Sequence, residues 1–259
     1  MPDQTGYVDE DYLKAAANLL RSFKQRTYEW MEIRTGDWVL DVGCGAGADT
    51  IPLKALVGVN GQVIGIDHDS EMLTRTKLSE KSENIAGDAG YICSDAVRLP
   101  FHSDLFDACR SERLFQHLAH PEIALSEMLR VTKPGGRVVV LDTDHGTWSV
   151  DTPEKDIERR ISRFKADHFG YNGYAGRQLY RLFKQAGLMD VTSEIISGYF
   201  TNYELVRFMF MLDEVEPAAV KAGVISEEEL IRWRTSLETA SGGGYFFCSE
   251  SMILAVGRK

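Results

Sequence analysis

"VLDVGCGAGADT", Val39 to Thr50, decides how this chain is read. The apolar run Val39-Leu40-Asp41-Val42 breaks into three alternating glycines, Gly43, Gly45 and Gly47. In a sheet built from alternating strands and helices, the loop after the first strand faces the crevice where ligands bind. Glycine there permits a tight turn and lets a ligand approach the backbone closely. Downstream, Asn60-Gly61 reads as a turn and "QVIGID", residues 62–67, as a second strand. Asp67 ends that strand, twenty positions after Gly47. A carboxylate so placed can accept hydrogen bonds from ribose hydroxyls. Loop and acid together imply a nucleoside-bearing cofactor.

The glycines alone do not name that cofactor. Gly43-x-Gly45-x-x-Ala48 satisfies the dinucleotide pattern G-x-G-x-x-G/A, so a nicotinamide-dependent oxidoreductase fits the spacing. Two details favour a different ligand. Asp41 stands inside the first strand, where a dinucleotide fold takes an apolar residue, and Gly47 makes the glycines strictly alternate. A glycine-rich turn without a ligand is the plain alternative, and it leaves Asp67 unexplained.

Around this loop the pattern repeats. Residues 9–33 carry Tyr12, Ala15, Ala16, Leu19, Leu20 and Phe23 at helical spacing. Strands are expected at 38–42, 62–67, 89–93, 106–111 and 137–142. Helices are expected at 48–57, at 71–82 with Ser70 as cap, and at 121–131, stopped by "KPGG", 133–136. Short apolar strands alternating with helices predict βαβ units: a parallel sheet covered on both faces. The second half predicts helices at 153–169 and 176–188, a sixth strand at 189–197, helices at 202–222 and 226–240, and a seventh strand at 246–256. The whole chain reads as one domain: a helical cap over 1–35, a cofactor-binding core over 36–145, and a substrate-side half over 146–259. Helical insertions at about 150–180 and 200–240 are candidate lids.

Composition limits the partners. The 259 residues carry a net charge of −10, with 44% hydrophobic and 26% charged residues. An acidic chain lacks the basic footprint of nucleic-acid binders. The four cysteines, Cys44, Cys93, Cys109 and Cys248, form no CxxC pair and no zinc spacing, so no metal is expected and a reducing compartment fits. The acidic N-terminus has no apolar core of a signal peptide, and no run reaches the ~18 apolar residues of a membrane span. The expectation is a cytoplasmic protein, monomer or homodimer.

At this point the motifs resemble a family. "VLDVGCGAGADT" looks like motif I of class I S-adenosylmethionine-dependent methyltransferases. "VIGIDHDSEML" resembles their acidic segment after motif I, and "CSDAVRLPF" the segment whose Asp meets the adenine amine. "FDACRSERLFQHLAHPEIALSEMLRVTKPGGRVVVLD" is similar to the fourth-strand, helix and fifth-strand block of the menaquinone/ubiquinone-type and related small-molecule enzymes. The resemblance covers about 36–145. It implies a Rossmann-like three-layer α/β sandwich, with a seven-stranded, mostly parallel sheet and an antiparallel last strand. It implies S-adenosylmethionine as methyl donor and S-adenosylhomocysteine as product.

Carried over by position, the resemblance puts the backbone of Gly43, Cys44 and Gly45 against the amino-acid part of the donor, with Asp41 near its ammonium. Asp67 would hold the ribose hydroxyls, and His68 and Met72 would flank the adenine. Asp95 would accept from the adenine amine, with Ser94 and Ala96 beside it. Arg110 and Ser111 would line the space near the sulfonium. Carboxylates and carbonyl dipoles complement the two cations of the donor.

Methyl transfer from a sulfonium is an in-line displacement, so the protein mainly aligns the acceptor and excludes water. A base helps when the acceptor is a protonated hydroxyl or amine. His117 in "LFQHLAH" and His145 in "DTDHGTW" follow strands four and five and are the candidate bases; packing histidines are the plain alternative. Asp142, Asp144, Trp148 and Arg177 are candidates for binding a small organic acceptor. Against them stand a capping turn, a core tryptophan and a helix-start salt bridge. The lid aromatics, Phe164 to Phe210, read mainly as core. "RFMFML", 207–212, is alternatively a dimer face or a membrane-surface contact, though it lacks the basic face that membranes favour. "SGGGYFF", 241–247, is a candidate hinge.

Overall fold

The computed structural model describes residues 21–82 and 89–259. The first part of the expected helical stretch, 9–20, lies outside the described residues. The remainder forms α1 (Arg21–Met31), after which Glu32 takes a positive φ of 51°. The elements then follow the predicted alternation. They are β1 (Trp38–Val42), α2 (Thr50–Val57), β2 (Gln62–Asp67), α3 (Ser70–Ser82), β3 (Gly90–Cys93) and β4 (Phe106–Glu112). A 3-10 turn (Phe115–His117), α4 (Pro121–Val131) and β5 (Thr132–Val150) complete the first half. The second half contains α5 (Lys155–His168), α6 (Ala175–Gln185), β6 (Met189–Phe200), α7 (Tyr203–Met209), α8 (Leu212–Lys221), α9 (Glu227–Gly242) and β7 (Cys248–Arg258).

The strands form one seven-stranded sheet in the order β3-β2-β1-β4-β5-β7-β6. β1 pairs in parallel with β2 and β4, β2 with β3, and β4 with β5; β7 runs antiparallel to β5 and β6. Side chains alternate across the pleat, so each apolar strand feeds two cores. Leu40, Val42, Val138 and Val140 face α4 and α6 through Leu125, Met128, Leu179 and Phe183. Val39, Val139, Leu141 and Leu254 face α1 and α2 through Tyr28, Met31, Leu53 and Val57. Each such buried aliphatic side chain contributes about 1.5–3 kcal/mol. Because the ladder pins both faces of β1 and β2, the loop between β1 and α2 has little freedom to move.

A third apolar cluster forms the helical cover beyond β5 and β7. Trp148 stacks on Phe210 at 5.5 Å and meets Trp233 edge-on at 6.5 Å; Ile157, Ile161, Val206, Leu212, Val215 and Phe246 close around them. The structure corrects several boundaries. The single helix expected over 202–222 is two, because Met211 adopts left-handed backbone at φ 53° between α7 and α8. Phe210 and Leu212 of "RFMFML" are buried in that cover, while Phe208 and Met211 are exposed. Ser70 is inside α3, and the cap is Asp69, whose Oδ1 accepts from the amides of Glu71 and Met72 at 3.0 and 2.9 Å. "KPGG" does end α4, and its glycines also pair with the C-terminus: Gly135 N donates to Lys259 O, and Lys259 N to Gly136 O. The "SGGG" segment completes α9, and Phe246 then anchors the chain in the cover. Among the described residues no helix is long and apolar enough to cross a membrane.

Candidate active site

The glycine loop is fastened to the end of β2. Gly43 N and Cys44 N both donate to Ile66 O, at 2.7 and 2.9 Å, and Gly45 N donates to Asp67 Oδ2 at 2.9 Å. Gly43, Gly45 and Gly47 all have positive φ, 76°, 53° and 71°. Gly47 also has no room for a side chain. A Cβ there would lie 2.5 Å from Thr76 Cγ2 and 2.8 Å from the Tyr91 hydroxyl. Gly45 is open by contrast, with only Met72 Sδ within 4 Å of such a Cβ, at 3.7 Å.

Asp67 is therefore a preorganised carboxylate. Its Oδ1 accepts from Asp69 N at 3.1 Å and faces His68 Nδ1 at 3.2 Å. Burial works to raise its pKa, but hydrogen bonds from His68, Asp69 and Gly45 hold it below the usual carboxylate range. A carboxylate has about four acceptor positions, so these contacts leave capacity for a diol. His68 is raised, first by its bond to Asp67. Next door, Ser94 N donates to Asp67 O, Ala96 is buried, and Asp95 is exposed with its Oδ1 accepting from Val97 N at 3.0 Å. Asp67, His68, Met72, Ser94 and Asp95 thus gather at the ends of β2 and β3, beside the open Gly45.

Beneath the loop lies a buried charge network that spacing did not reveal. Arg110 on β4 reaches Asp41 Oδ1 at 3.4 Å, Asp49 Oδ2 at 3.1 Å and Glu112 Oε2 at 2.8 Å. Lys24 of α1 bridges Asp49 at 2.5 Å and Glu112 at 3.0 Å, and the Tyr28 hydroxyl bonds to Asp49 Oδ1. Arg110 also lies 5.4 Å from the Tyr28 ring centre. Burial pushes Asp41 up to about 7 against the pull of Arg110, while Arg110 and Lys24 hold Asp49 low despite its burial. Three carboxylates face two cations, and Asp41 Oδ2 has no hydrogen-bond partner among the described residues. An incoming ammonium would complete that balance. The open Gly45, the partly filled Asp67 and the orphaned Asp41 oxygen fit the ammonium, ribose and backbone needs of a nucleoside amino acid.

Other candidates are placed differently. Arg110 and Ser111 are fully buried, so their side chains do not line an open space; Arg110 supports the loop from below. Asp142 is fully buried and accepts from Phe115 N at 2.7 Å and Thr143 N at 2.8 Å. It clamps the 3-10 turn onto β5, and burial pushes it up to about 7. Asp144 is buried and paired with Arg177 at 2.5 Å. Trp148 is core. These four side chains are turned to structural partners and not into the crevice.

The two histidines are brought together. His117 sits on the 3-10 turn, and burial, then Arg113, His145 and His68, lower it to about 4. It feels both His68 at the adenosine end and His145 at the far end, so the crevice runs along these three. His145 is held on both ring nitrogens: Nδ1 lies 2.7 Å from Glu250 Oε1 and Nε2 3.0 Å from Gln116 Oε1. Lys165 Nζ lies 3.0 Å from the same Nδ1. Gln116, Lys165 and Glu250 carried no motif. One signal was available for Lys165: it shares the buried face of α5 with Ile157, Ile161 and Phe164. Among the described residues no group of three or more His, Cys, Asp or Glu side chains could hold a metal ion.

A family model described as "Methyltransferase domain" matches residues 40–140. The chain is 31% identical over 195 residues to 2-phytyl-1,4-beta-naphthoquinone methyltransferase of Arabidopsis thaliana, spanning 70% of this chain and 75% of that protein. It is also 31% identical to an uncharacterized 37.1 kDa protein of transposon Tn4556 from Streptomyces fradiae, over 99% of this chain and 71% of the other. In fold it is similar to the YcgJ protein of Bacillus subtilis, with a TM-score of 0.67 at 18% identity, covering 92% of this chain and 98% of that one.

Proposed function

Because the chain belongs to the class I S-adenosylmethionine-dependent methyltransferases, it is a methyl-transferring enzyme, and we propose that its acceptor is a small organic molecule bound between His117 and the helical cover. The observation that carries this reading is the coupling of Gly45 to Asp67, which sets a ribose-binding carboxylate against an open loop. S-adenosylmethionine supplies a methyl group already activated on a sulfonium. Asp67 would hold the ribose hydroxyls, and Asp41 the ammonium. Asp95 would accept from the adenine amine, with His68 and Met72 on the adenine faces.

The protein's own part is then alignment and exclusion of water. Burial and its cationic neighbours keep His117 neutral to about pH 4, so it adds no positive charge beside the sulfonium. Asp142 holds the turn that carries His117 and Gln116, and the Trp148–Phe210 cover screens the site. The acidic net charge favours a small acceptor over a nucleic acid and suits a cytoplasmic enzyme. The chain would work as one domain, monomer or homodimer, with α1 and the 155–168 and 203–242 helices as covers. A relative named for a naphthoquinone substrate supports a small aromatic acceptor.

Calorimetry with S-adenosylhomocysteine tests the site. Wild type should bind it, and Asp67→Ala should weaken binding about 10–100-fold, the worth of one or two hydrogen bonds to a charged group. Unchanged affinity in that variant would remove Asp67 from the ribose site.

A further inference from the structure

Lys165 has no part in the alignment just described, yet it is a lysine with 5% exposure set beside a histidine and a glutamate. Its ammonium nitrogen lies 3.0 Å from His145 Nδ1 and 5.3 Å from the centre of the Phe210 ring. The protons of this group can be counted. Gln116 Nε2 donates to Arg113 O at 3.2 Å, which leaves its Oε1 as the acceptor facing His145 Nε2. His145 Nε2 therefore carries a proton. Nδ1 can hold one more at most, and it faces both Glu250 and Lys165. If Lys165 donates to Nδ1, the Glu250 carboxylate meets a ring lone pair at 2.7 Å. If Nδ1 carries the proton, it donates to Glu250, and Lys165 is left as a neutral amine. Both arrangements have the same number of protons, so one transfer between Nδ1 and Nζ interconverts them. The second removes the lone-pair contact. Burial in the apolar cover works in the same direction, lowering the lysine's pKa.

We propose that Lys165 is the proton acceptor for an ionisable hydroxyl on the methyl acceptor, with His145 and Glu250 as its relay. This rests on the methyltransferase reading above and gives the acceptor a chemistry: an apolar or aromatic body bearing a phenol or enol O–H. The trio stands beyond His117, at the opposite end of the crevice from His68 and Asp67, where the acceptor and not the adenosine belongs. Trp148 and Phe210 supply the apolar wall. In the reaction the acceptor O–H gives its proton to the Lys165 amine. The oxygen lone pair forms the bond to the incoming methyl group, and the electron pair of the methyl–sulfur bond stays on sulfur. The added proton leaves later to water through His145, which is partly exposed. The other ionisable groups around the trio are Asp144 with Arg177 on the β5–α6 side, and His117 and Arg113 on the turn side.

Nitrogen NMR of the whole labelled protein, saturated with S-adenosylhomocysteine, tests the proton count without any variant. At neutral pH the Lys165 amine should be neutral, unlike the exposed lysines, and both His145 ring nitrogens should carry protons. E250Q should move the proton onto Lys165. A Lys165 that stays an ammonium through neutral pH in wild type overturns the proposal. Para-nitrophenol then probes the acceptor site, because its ionised form is coloured. Below its free midpoint, wild type should raise the phenolate-to-phenol ratio about tenfold, which moves the midpoint down by about one on the pH scale. K165M should abolish the rise. No rise in wild type, or the same rise in K165M, also overturns it. S-adenosylhomocysteine binding by K165M reports that the variant is folded. A wild type that fails to bind S-adenosylhomocysteine would instead remove the donor site and leave the proton count standing.

Discussion

Replacing Arg110 by Met tests the buried network most directly. Arg110 is fully buried and has three carboxylates within 3.4 Å, while Lys24 reaches two of them. Met fills much of the volume, so the loss is electrostatic. Removing one partner of a buried ion pair costs about 3–5 kcal/mol, because the other charge is left without compensation. At roughly 2–4 °C per kcal/mol for a chain of this size, the melting temperature should fall by about 6–20 °C. The pH dependence is the sharper signature. Asp41 is pushed up to about 7 by burial, so its protonated form is the one the fold favours. Its contribution to stability is present near its unfolded pKa and is lost as pH rises toward 7. Without Arg110 that window extends upward, so the penalty should be larger at pH 8 than at pH 5. Urea unfolding of both proteins at both pH values, followed by tryptophan fluorescence, gives the difference; unrelated titrations cancel. A penalty under ~1 kcal/mol at pH 8, or one that grows on acidification, would refute the reasoning.

His117 should give wild type the opposite slope. Its folded pKa near 4 lies below the unfolded 6.5, so stability is lost as pH falls through that window, by up to about 3 kcal/mol; His117→Leu should flatten this part of the stability curve. Gly47→Ala should abolish S-adenosylhomocysteine binding in calorimetry, since its Cβ would collide with Thr76 and Tyr91 in left-handed backbone. Asp142→Asn should release the 3-10 turn: amide exchange at Phe115 should quicken and stability fall by about 1–2 kcal/mol, the worth of a hydrogen bond to a charged group. Unchanged exchange would separate Asp142 from the turn.

The sequence by itself determined the sheet and the donor loop. Strand period, glycine spacing and the place of Asp67 are properties of short windows, and backbone geometry converts them directly into β1, the turn and β2. It also located His117 and His145, because each follows a strand end. What those windows do not contain is partnership across the chain. Lys24, Tyr28, Asp41, Asp49, Arg110 and Glu112 come from α1, β1, α2 and β4, and they meet only when the sheet brings those elements together. For the same reason Arg110 and Asp142 read as crevice residues, although the folded chain turns both inward. His145, Lys165 and Glu250 lie on three elements up to 105 residues apart. A charged side chain declares itself functional or structural only through what surrounds it after burial. That surrounding is set by strand order and helix packing, and the tertiary structure alone supplies it.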